Sequence, residues 1–251
     1  MGVKQIIPGK TGNIAMPIMQ TDIARVARRN MIAEFDMLTY DGGNPKLLLD
    51  QSGNGFNATF LNNPTVGATG VTFDTINYAD FDLTTDLVDD YAFTCVVKTT
   101  TSGRYIFGNH NSADGKGRSF NAFSGGAQVD LRGHATSLHA YCAFPGSTVW
   151  MALHARCLDR TMFMRDLVTK PYLGQWGTLQ STQTSGRLRW RIGAGATTVG
   201  GDSNVSEVPL SNTGTIAYCA VFKKATDVAQ EQALLKYLHD RLTARGITLI
   251  A

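Results

Sequence analysis

Residues 89–100 read DDYAFTCVVKTT, and residues 215–223 read TIAYCAVFK. Both runs are dense in aromatic and β-branched residues and lack the three-and-four spacing of an amphipathic helix, so both are expected as buried strands. Outward from them the same texture recurs. MIAEFDML (31–38) alternates with period two, and short apolar pieces follow at ATFLN (58–62), GVTFD (70–74), RYIFG (104–108), RSFNAF (118–123) and AQVDLRG (127–133). LHAYCAF (138–144), VWMALHARC (149–157), TMFMRD (161–166) and LRWRIGAG (188–195) continue the series, with turns such as Asp114-Gly115 and Gly125-Gly126 between them. Roughly a dozen short strands with no helices between them predict a two-layer antiparallel sandwich rather than βαβ units.

The composition agrees. Of 251 residues, 43% are hydrophobic, 17% are charged and 26 are glycine, which is enough apolar material for a core and excludes a disordered chain. The glycines follow no period of three, which excludes collagen. Lys and Arg number 23 against 20 Asp and Glu, and a net charge of +3 does not favour a polyanion, so nucleic acid is not an expected partner. No stretch approaches the ~18 apolar residues of a membrane span, and MGVKQIIPGKTG at the start lacks a secretory apolar core. The chain is expected to be made in the cytoplasm without export and to have no membrane partner. Cys95, Cys142, Cys157 and Cys219 form no CxxC and lie in apolar runs, so they are expected as buried reduced thiols.

Two ends flank the strands. Residues 1–30 read as an arm: TDIARVARRN (21–30) makes a brief amphipathic helix, capped by Thr21 or Asp22, with Arg25, Arg28 and Arg29 along its basic side. That face either packs on the domain or docks on a neighbouring subunit. Residues 31–251 form one domain that closes with a helix, capped at Thr226 or Asp227, with Gln230 completing a loose capping box. Val228, Leu235, Leu238 and Leu242 are expected to share its apolar face, Gly246 to stop it, and the helix to lie on an edge or end of the sandwich.

Asp50, Ser52, Gly53, Asn54 and Gly55 predict a tight turn, with Asp and Ser oxygens accepting backbone amides and the glycines taking positive φ. The alternative role for Asp50, a Ca²⁺ ligand, lacks the alternating carboxylates of an EF-hand. The histidines, His110, His134, His139, His154 and His239, show no zinc-ligand spacing and are read as surface or hydrogen-bonded imidazoles. Neither a G-x-S-x-G elbow nor a phosphate loop occurs, and no cofactor or metal is expected. Two features are candidates for ligand binding. In RLRWR (187–191), Arg187, Arg189 and Arg191 are expected on one sheet face, opposite Leu188 and Trp190; this is a solvated face or an anion contact. Trp176, in the loop LGQWGTLQ (173–180), can stack on a sugar or a partner subunit.

Three stretches together resemble the laminin-G-like, concanavalin-A-like jelly-roll family: LLLDQSGNGFNATF (47–60), GVTFDTINYADFDL (70–83) with the run at 89–100, and RIGAGATTVGG with the terminal strand and helix. Thr75 departs from the glycine that many relatives carry after Phe-Asp. The resemblance implies an all-β, two-sheet antiparallel jelly roll. Relatives include β-glucanases, which need an E-x-D-x-x-E strand; here Glu34-Phe35-Asp36 supplies two acids on one face and Thr39 stands in the third place. Glu207 and Glu231, the other glutamates, lie in a loop and in the terminal helix, so no enzyme is expected. Chains with this resemblance, a short arm and a Thr/Gly/Asn-rich surface look like bacteriophage virion proteins. The expected role is a tail-fibre or baseplate appendage that recognises a host-surface glycan, with capsid decoration, a free lectin and a glycan-active enzyme as alternatives. Expected partners are other virion proteins and the chain itself as a homo-oligomer.

Overall fold

The computed structural model describes residues 22–42, 46–74, 76–83, 87, 90–99, 104–109, 118–123, 128–133, 140–143, 149–158, 161–168, 177–178, 189–194 and 214–249. Its strands are β1 (Met31–Asp41), β2 (Leu47–Asp50), β3 (Ala58–Leu61), β4 (Thr65–Val66), β5 (Val71–Phe73), β6 (Tyr78–Phe81), β7 (Asp90–Thr99) and β8 (Arg104–Gly108). They continue with β9 (Arg118–Phe123), β10 (Gln128–Gly133), β11 (Ala140–Ala143), β12 (Met151–Leu158), β13 (Thr161–Asp166), β14 (Gly177–Thr178), β15 (Trp190–Ile192) and β16 (Gly214–Phe222). Helix α1 spans residues 22–27 and α2 is Val228–Leu242.

All the pairings are antiparallel, and the hydrogen-bonded path runs β11-β10-β9-β8-β15-β6-β3-β2-β1-β16-β7-β12-β13-β14. The path curls on itself, so that a front half (β1, β16, β7, β12, β13) faces a rear half (β6, β15, β8, β9) across one apolar core. Aromatic rings bridge the halves. Phe35 of β1 meets Phe81 of β6 with centroids 4.6 Å apart. Phe93 of β7 meets Phe120 of β9 at 4.7 Å and Trp190 of β15 at 5.5 Å. The two runs that decided the fold, β7 and β16, are neighbours in the middle of the front half.

The expected all-β jelly-roll sandwich with a single C-terminal helix is the observed architecture. The helix, however, lies on a sheet face and not at an edge. Leu234, Leu238 and Leu242 seat in a second apolar layer over Ala92, Val96, Ala152, Ala217, Ala220 and Phe222, the outward residues of β7, β12 and β16. Each fully buried leucine contributes roughly 1.5–3 kcal/mol. Small alanines on the sheet let the helix approach closely. The buried stripe is Gln230, Glu231, Leu234, Leu238 and Leu242, whereas Val228 is 54% exposed; Asp227 caps the helix by accepting from the Gln230 N–H at 2.7 Å. Gly246 ends the following turn at φ 74°, as its place in the sequence implied. Helix α1 and residues 28–30 pack beside α2 with Ala27 fully buried. Covered on both sides, β1 is buried continuously from Met31 to Met37, although its sequence alternates.

The turn after β2 is built around one carboxylate. Asp50 Oδ1 accepts from the Glu34 and Ser52 backbone N–H groups, both at 2.9 Å, and Oδ2 accepts from the Phe56 N–H at 3.0 Å and the Ser52 hydroxyl at 2.8 Å. Gly53 and Gly55 take φ of 91° and 80°. Four donors to one ionised group make this a structural knot that ties the turn to β1. Asp50→Ala is expected to lower stability by about 2–3 kcal/mol, read from the urea midpoint, with Asp50→Asn recovering part of the loss.

Candidate functional site

The front and rear halves present different outer faces. On the front, the second apolar layer is flanked by two polar clusters that bind α2 to the sheet. In the first, Glu34 of β1 is fully buried; its Oε1 accepts from the Tyr218 hydroxyl at 3.0 Å and the Tyr237 hydroxyl at 2.6 Å, and its Oε2 pairs with Arg28 at 2.8 Å. Asp36, two residues on, pairs with Arg241 at 2.9 Å and with Arg245. Burial pushes the Asp36 carboxyl up, but hydrogen bonds from Arg245, the Leu38 N–H and Arg241 outweigh it and hold the group below its ordinary range. Burial, reinforced by the Glu34 charge, pushes the Tyr237 hydroxyl up to about 12 and the Tyr218 hydroxyl well above its usual value. Both phenols therefore stay protonated and donate.

In the second cluster, Thr226 donates its one hydroxyl hydrogen to Glu231 Oε1 at 3.1 Å, so its oxygen accepts from His154 Nε2–H at 2.7 Å. Glu231 is also held by Arg156 at 3.3 Å and Arg165 at 2.8 Å. His154 is 1% exposed, and burial followed by the charges of Arg165 and Arg156 lowers its pKa to about 3. Glu231, only 3.8 Å from the ring, does not reverse this, because its charge is already matched by the two guanidiniums. These clusters are inside the protein, and their carboxylates are occupied in holding α2.

The rear half is different. Ala79 and Phe81 of β6, Trp190 and Ile192 of β15, and Phe120 of β9 point into the core, so the residues alternating with them face outward. Those residues are Tyr78, Asp80, Arg189, Arg191, Ser119 and Asn121. The register aligns three of them, because Asp80 lies opposite Arg191, Arg191 opposite Gly108, and Gly108 opposite Ser119. Arg189 Nη1 reaches Asp80 Oδ2 at 2.9 Å, and this hydrogen bond, then the Asp80 charge, raises the Arg189 pKa. The Arg191 guanidinium lies 4.8 Å from the centre of the Tyr78 ring, a cation–π contact. The Asn121 side-chain oxygen is buried and has no hydrogen-bond donor among the described residues. Of this set Arg189 alone is open to solvent: Tyr78, Asp80, Arg191, Ser119 and Asn121 are each 9% exposed or less, so they form a buried polar layer beside one exposed guanidinium.

The fold has counterparts among solved structures. Domain 4 of AbnA, a GH43 extracellular arabinanase from Geobacillus stearothermophilus, in complex with arabinotriose, superposes with a TM-score of 0.54 at 14% identity, over 82% of this chain and 98% of that one. A Trypanosoma rangeli sialidase gives 0.60 at 10% identity, over 91% of this chain and 40% of that one. The binding domain of botulinum neurotoxin DC, in complex with rat synaptotagmin II, gives 0.58 at 9%, over 86% and 52%. The likeness is one of fold. The chain spans about half or less of the sialidase and neurotoxin chains. No family model and no curated protein matches the sequence.

Of the residues singled out in the sequence, Arg189 and Arg191 do share one face, opposite Trp190. That face is not a solvated one: the Arg189 side chain is 52% exposed, but Arg191 is only 2% exposed and packs against Tyr78. Arg187 and Trp176 lie outside the described residues, as does Glu207. Arg25 is exposed and pairs with Asp22 at 3.4 Å. Arg28 and Arg29 are engaged within the chain, Arg28 on Glu34 and the Gln51 carbonyl, Arg29 on Asp227 and Gln230. Arg28 and Arg29 thus tie residues 28–30 to the domain, and Arg25 is the open member of the basic face. Tyr78, Asp80, Ser119 and Asn121 escaped the sequence reading, although YADF and RSFNAF carried the signal: a polar or aromatic residue at every second position, between residues bound for the core. Among the described residues, no group of His, Cys, Asp or Glu is placed to hold a metal ion, and no helix is long and apolar enough to cross a membrane.

Proposed function

We propose that the chain is a glycan-recognition β-sandwich that binds through the outer face of its rear half and performs no catalytic step. The observation that carries this reading is the half-exposed Arg189, held by Asp80 beside the buried polar row Asp80–Arg191–Ser119. The exposed Arg189 guanidinium donates to the hydroxyls of a sugar. Support comes also from the solved structures of similar fold, one of which holds arabinotriose. The non-catalytic part rests on the two buried glutamates. Glu34 and Glu231 lie under α2, each bound by arginine, and a glycosidase needs its two carboxyls on either side of an accessible glycosidic bond.

The setting proposed is a bacteriophage particle, with the chain as a tail-fibre or baseplate appendage that meets the host surface. This rests on the resemblance of the turn, the hairpin and the terminal strand and helix described above. Immunogold microscopy of purified particles tests it: label on tails supports it, label on heads favours capsid decoration, and unlabelled particles refute both.

A glycan array probed with the full chain tests the binding. Specific retention of one oligosaccharide class is expected, with Arg189→Ala weakening it about tenfold, the worth of one good hydrogen bond. An unchanged Tm in Arg189→Ala separates lost contact from lost fold. No retention by the wild type sinks the glycan reading; unchanged affinity in Arg189→Ala moves the site off the rear face.

A further inference from the structure

Cys95 of β7 and Cys219 of β16 stand directly opposite each other in the ladder joining the two central strands of the front half. Their sulfurs are 3.6 Å apart, and both side chains are fully buried in the main core. Facing residues of an antiparallel pair have Cα atoms about 4.5–5.5 Å apart, within the roughly 4.4–6.8 Å that a disulfide spans. Bond formation thus needs side-chain rotation and no change of register. Cys157 is not a competitor: Cys95 faces Leu153 of β12, and Cys157 lies four residues further along that strand, a displacement of about 13 Å.

We propose that Cys95 and Cys219 are a latent redox pair, reduced where the chain is made and joined as a cross-strand disulfide once it meets an oxidising medium. The oxidant is a low-molecular-weight disulfide such as oxidised glutathione. One cysteine thiolate attacks it, giving a protein–glutathione mixed disulfide and one glutathione thiolate. The second cysteine thiolate then attacks the protein sulfur of that mixed disulfide, forming the Cys95–Cys219 bond and releasing the second glutathione. Two protons and two electrons leave the cysteines and end in two glutathione thiols.

The surroundings make the reaction slow in the closed protein. Neither sulfur reaches solvent, and burial, with the neighbouring Cys95 sulfur, pushes the Cys219 thiol well above its usual pKa, so little thiolate is present. Exchange must wait for β7 and β16 to part. The pair therefore records exposure to oxidant over opening times and not over seconds. This stands apart from the glycan reading, since it concerns the opposite half of the sandwich.

The test is to hold the full chain in a glutathione redox buffer, alkylate remaining thiols after denaturation, and map the digest by mass spectrometry without reduction. The expected product is a single linked peptide pair joining Cys95 to Cys219, about 2 Da lighter than the two reduced peptides, with Cys157 alkylated. Sub-denaturing urea is expected to speed its formation at least tenfold. Cys219→Ser should abolish the link. Complete alkylation of Cys95 and Cys219 after both native incubation and refolding in the same buffer would overturn the proposal, as would linkage of either to another cysteine.

Discussion

Replacing Glu34 by alanine is expected to destabilise the chain by about 3–5 kcal/mol, more than any substitution on the rear face. The carboxylate is fully buried, and it receives the hydroxyls of Tyr218 and Tyr237 and the guanidinium of Arg28, with Arg241 3.7 Å away. Its removal leaves the fully buried Tyr218 hydroxyl without its carboxylate acceptor and takes from Arg28 its Glu34 carboxylate, while Arg241 keeps Asp36. Desolvation, already spent on the pair, is then not offset by attraction. Because Glu34 joins β1 to β16, to α2 and to the segment after α1, the loss appears in global stability: the urea midpoint falls while the m-value holds. Glu34→Gln keeps an oxygen for the tyrosines but drops the charge, and should fall between. A loss under ~1 kcal/mol for the alanine variant would mean that the cluster is not the lock between helix and sheet described here.

Acid is expected to act through His154 well before it acts through carboxylates. The ring is neutral in the fold, with a pKa lowered from 6.5 to about 3. Below pH 6.5 the unfolded chain takes up a proton at this residue and the folded chain does not, so stability falls as pH falls and the loss levels off near pH 3. The slope is half its limit at pH 6.5 and approaches about 1.4 kcal/mol per pH unit below it, which amounts to roughly 2.3 kcal/mol between pH 6.5 and 4.5. Asp36 and Asp227, held below their ordinary range, add to the loss only at lower pH, as each becomes protonated in the unfolded chain first. Urea midpoints at pH 6.5, 5.5 and 4.5 measure the effect. His154→Gln, which keeps a polar atom toward Thr226 but cannot ionise, should remove the slope in that window; an identical slope in the variant would assign it elsewhere.

These two residues also mark where the sequence stops being informative. Glu34 and Asp36 were visible as two acids on one strand face, and His154 as one imidazole in an apolar run. Apart from Arg28, six residues before Glu34, nothing near them in the chain announces their partners: Tyr218, Tyr237, Arg241 and Arg245 lie 184 to 209 residues from the two acids, and Thr226 lies 72 from His154. The same holds for the rear face. Arg189 and Arg191 were legible as an alternating basic pair, but their neighbours Asp80 and Tyr78 come from a strand more than a hundred residues earlier, and the row exists only through the register of β6 on β15. The helix shows a subtler gap. Its cap, its stop and most of its length followed from local chemistry, yet the sequence pointed to Val228 and Leu235 where the sheet selects Glu231 and Leu234.

The sequence alone determined the class of fold: side-chain alternation, β-branched content and turn chemistry act over a few residues, and they were sufficient to predict strands, the Asp50 knot and one terminal helix. The tertiary structure decided which face α2 covers, which carboxylates are consumed by arginines, which polar residues share the rear face and that Cys95 meets Cys219. Those outcomes depend on strand order and register. Order and register are set by how the whole curled sheet buries its apolar faces at once, a constraint that no local stretch of sequence carries.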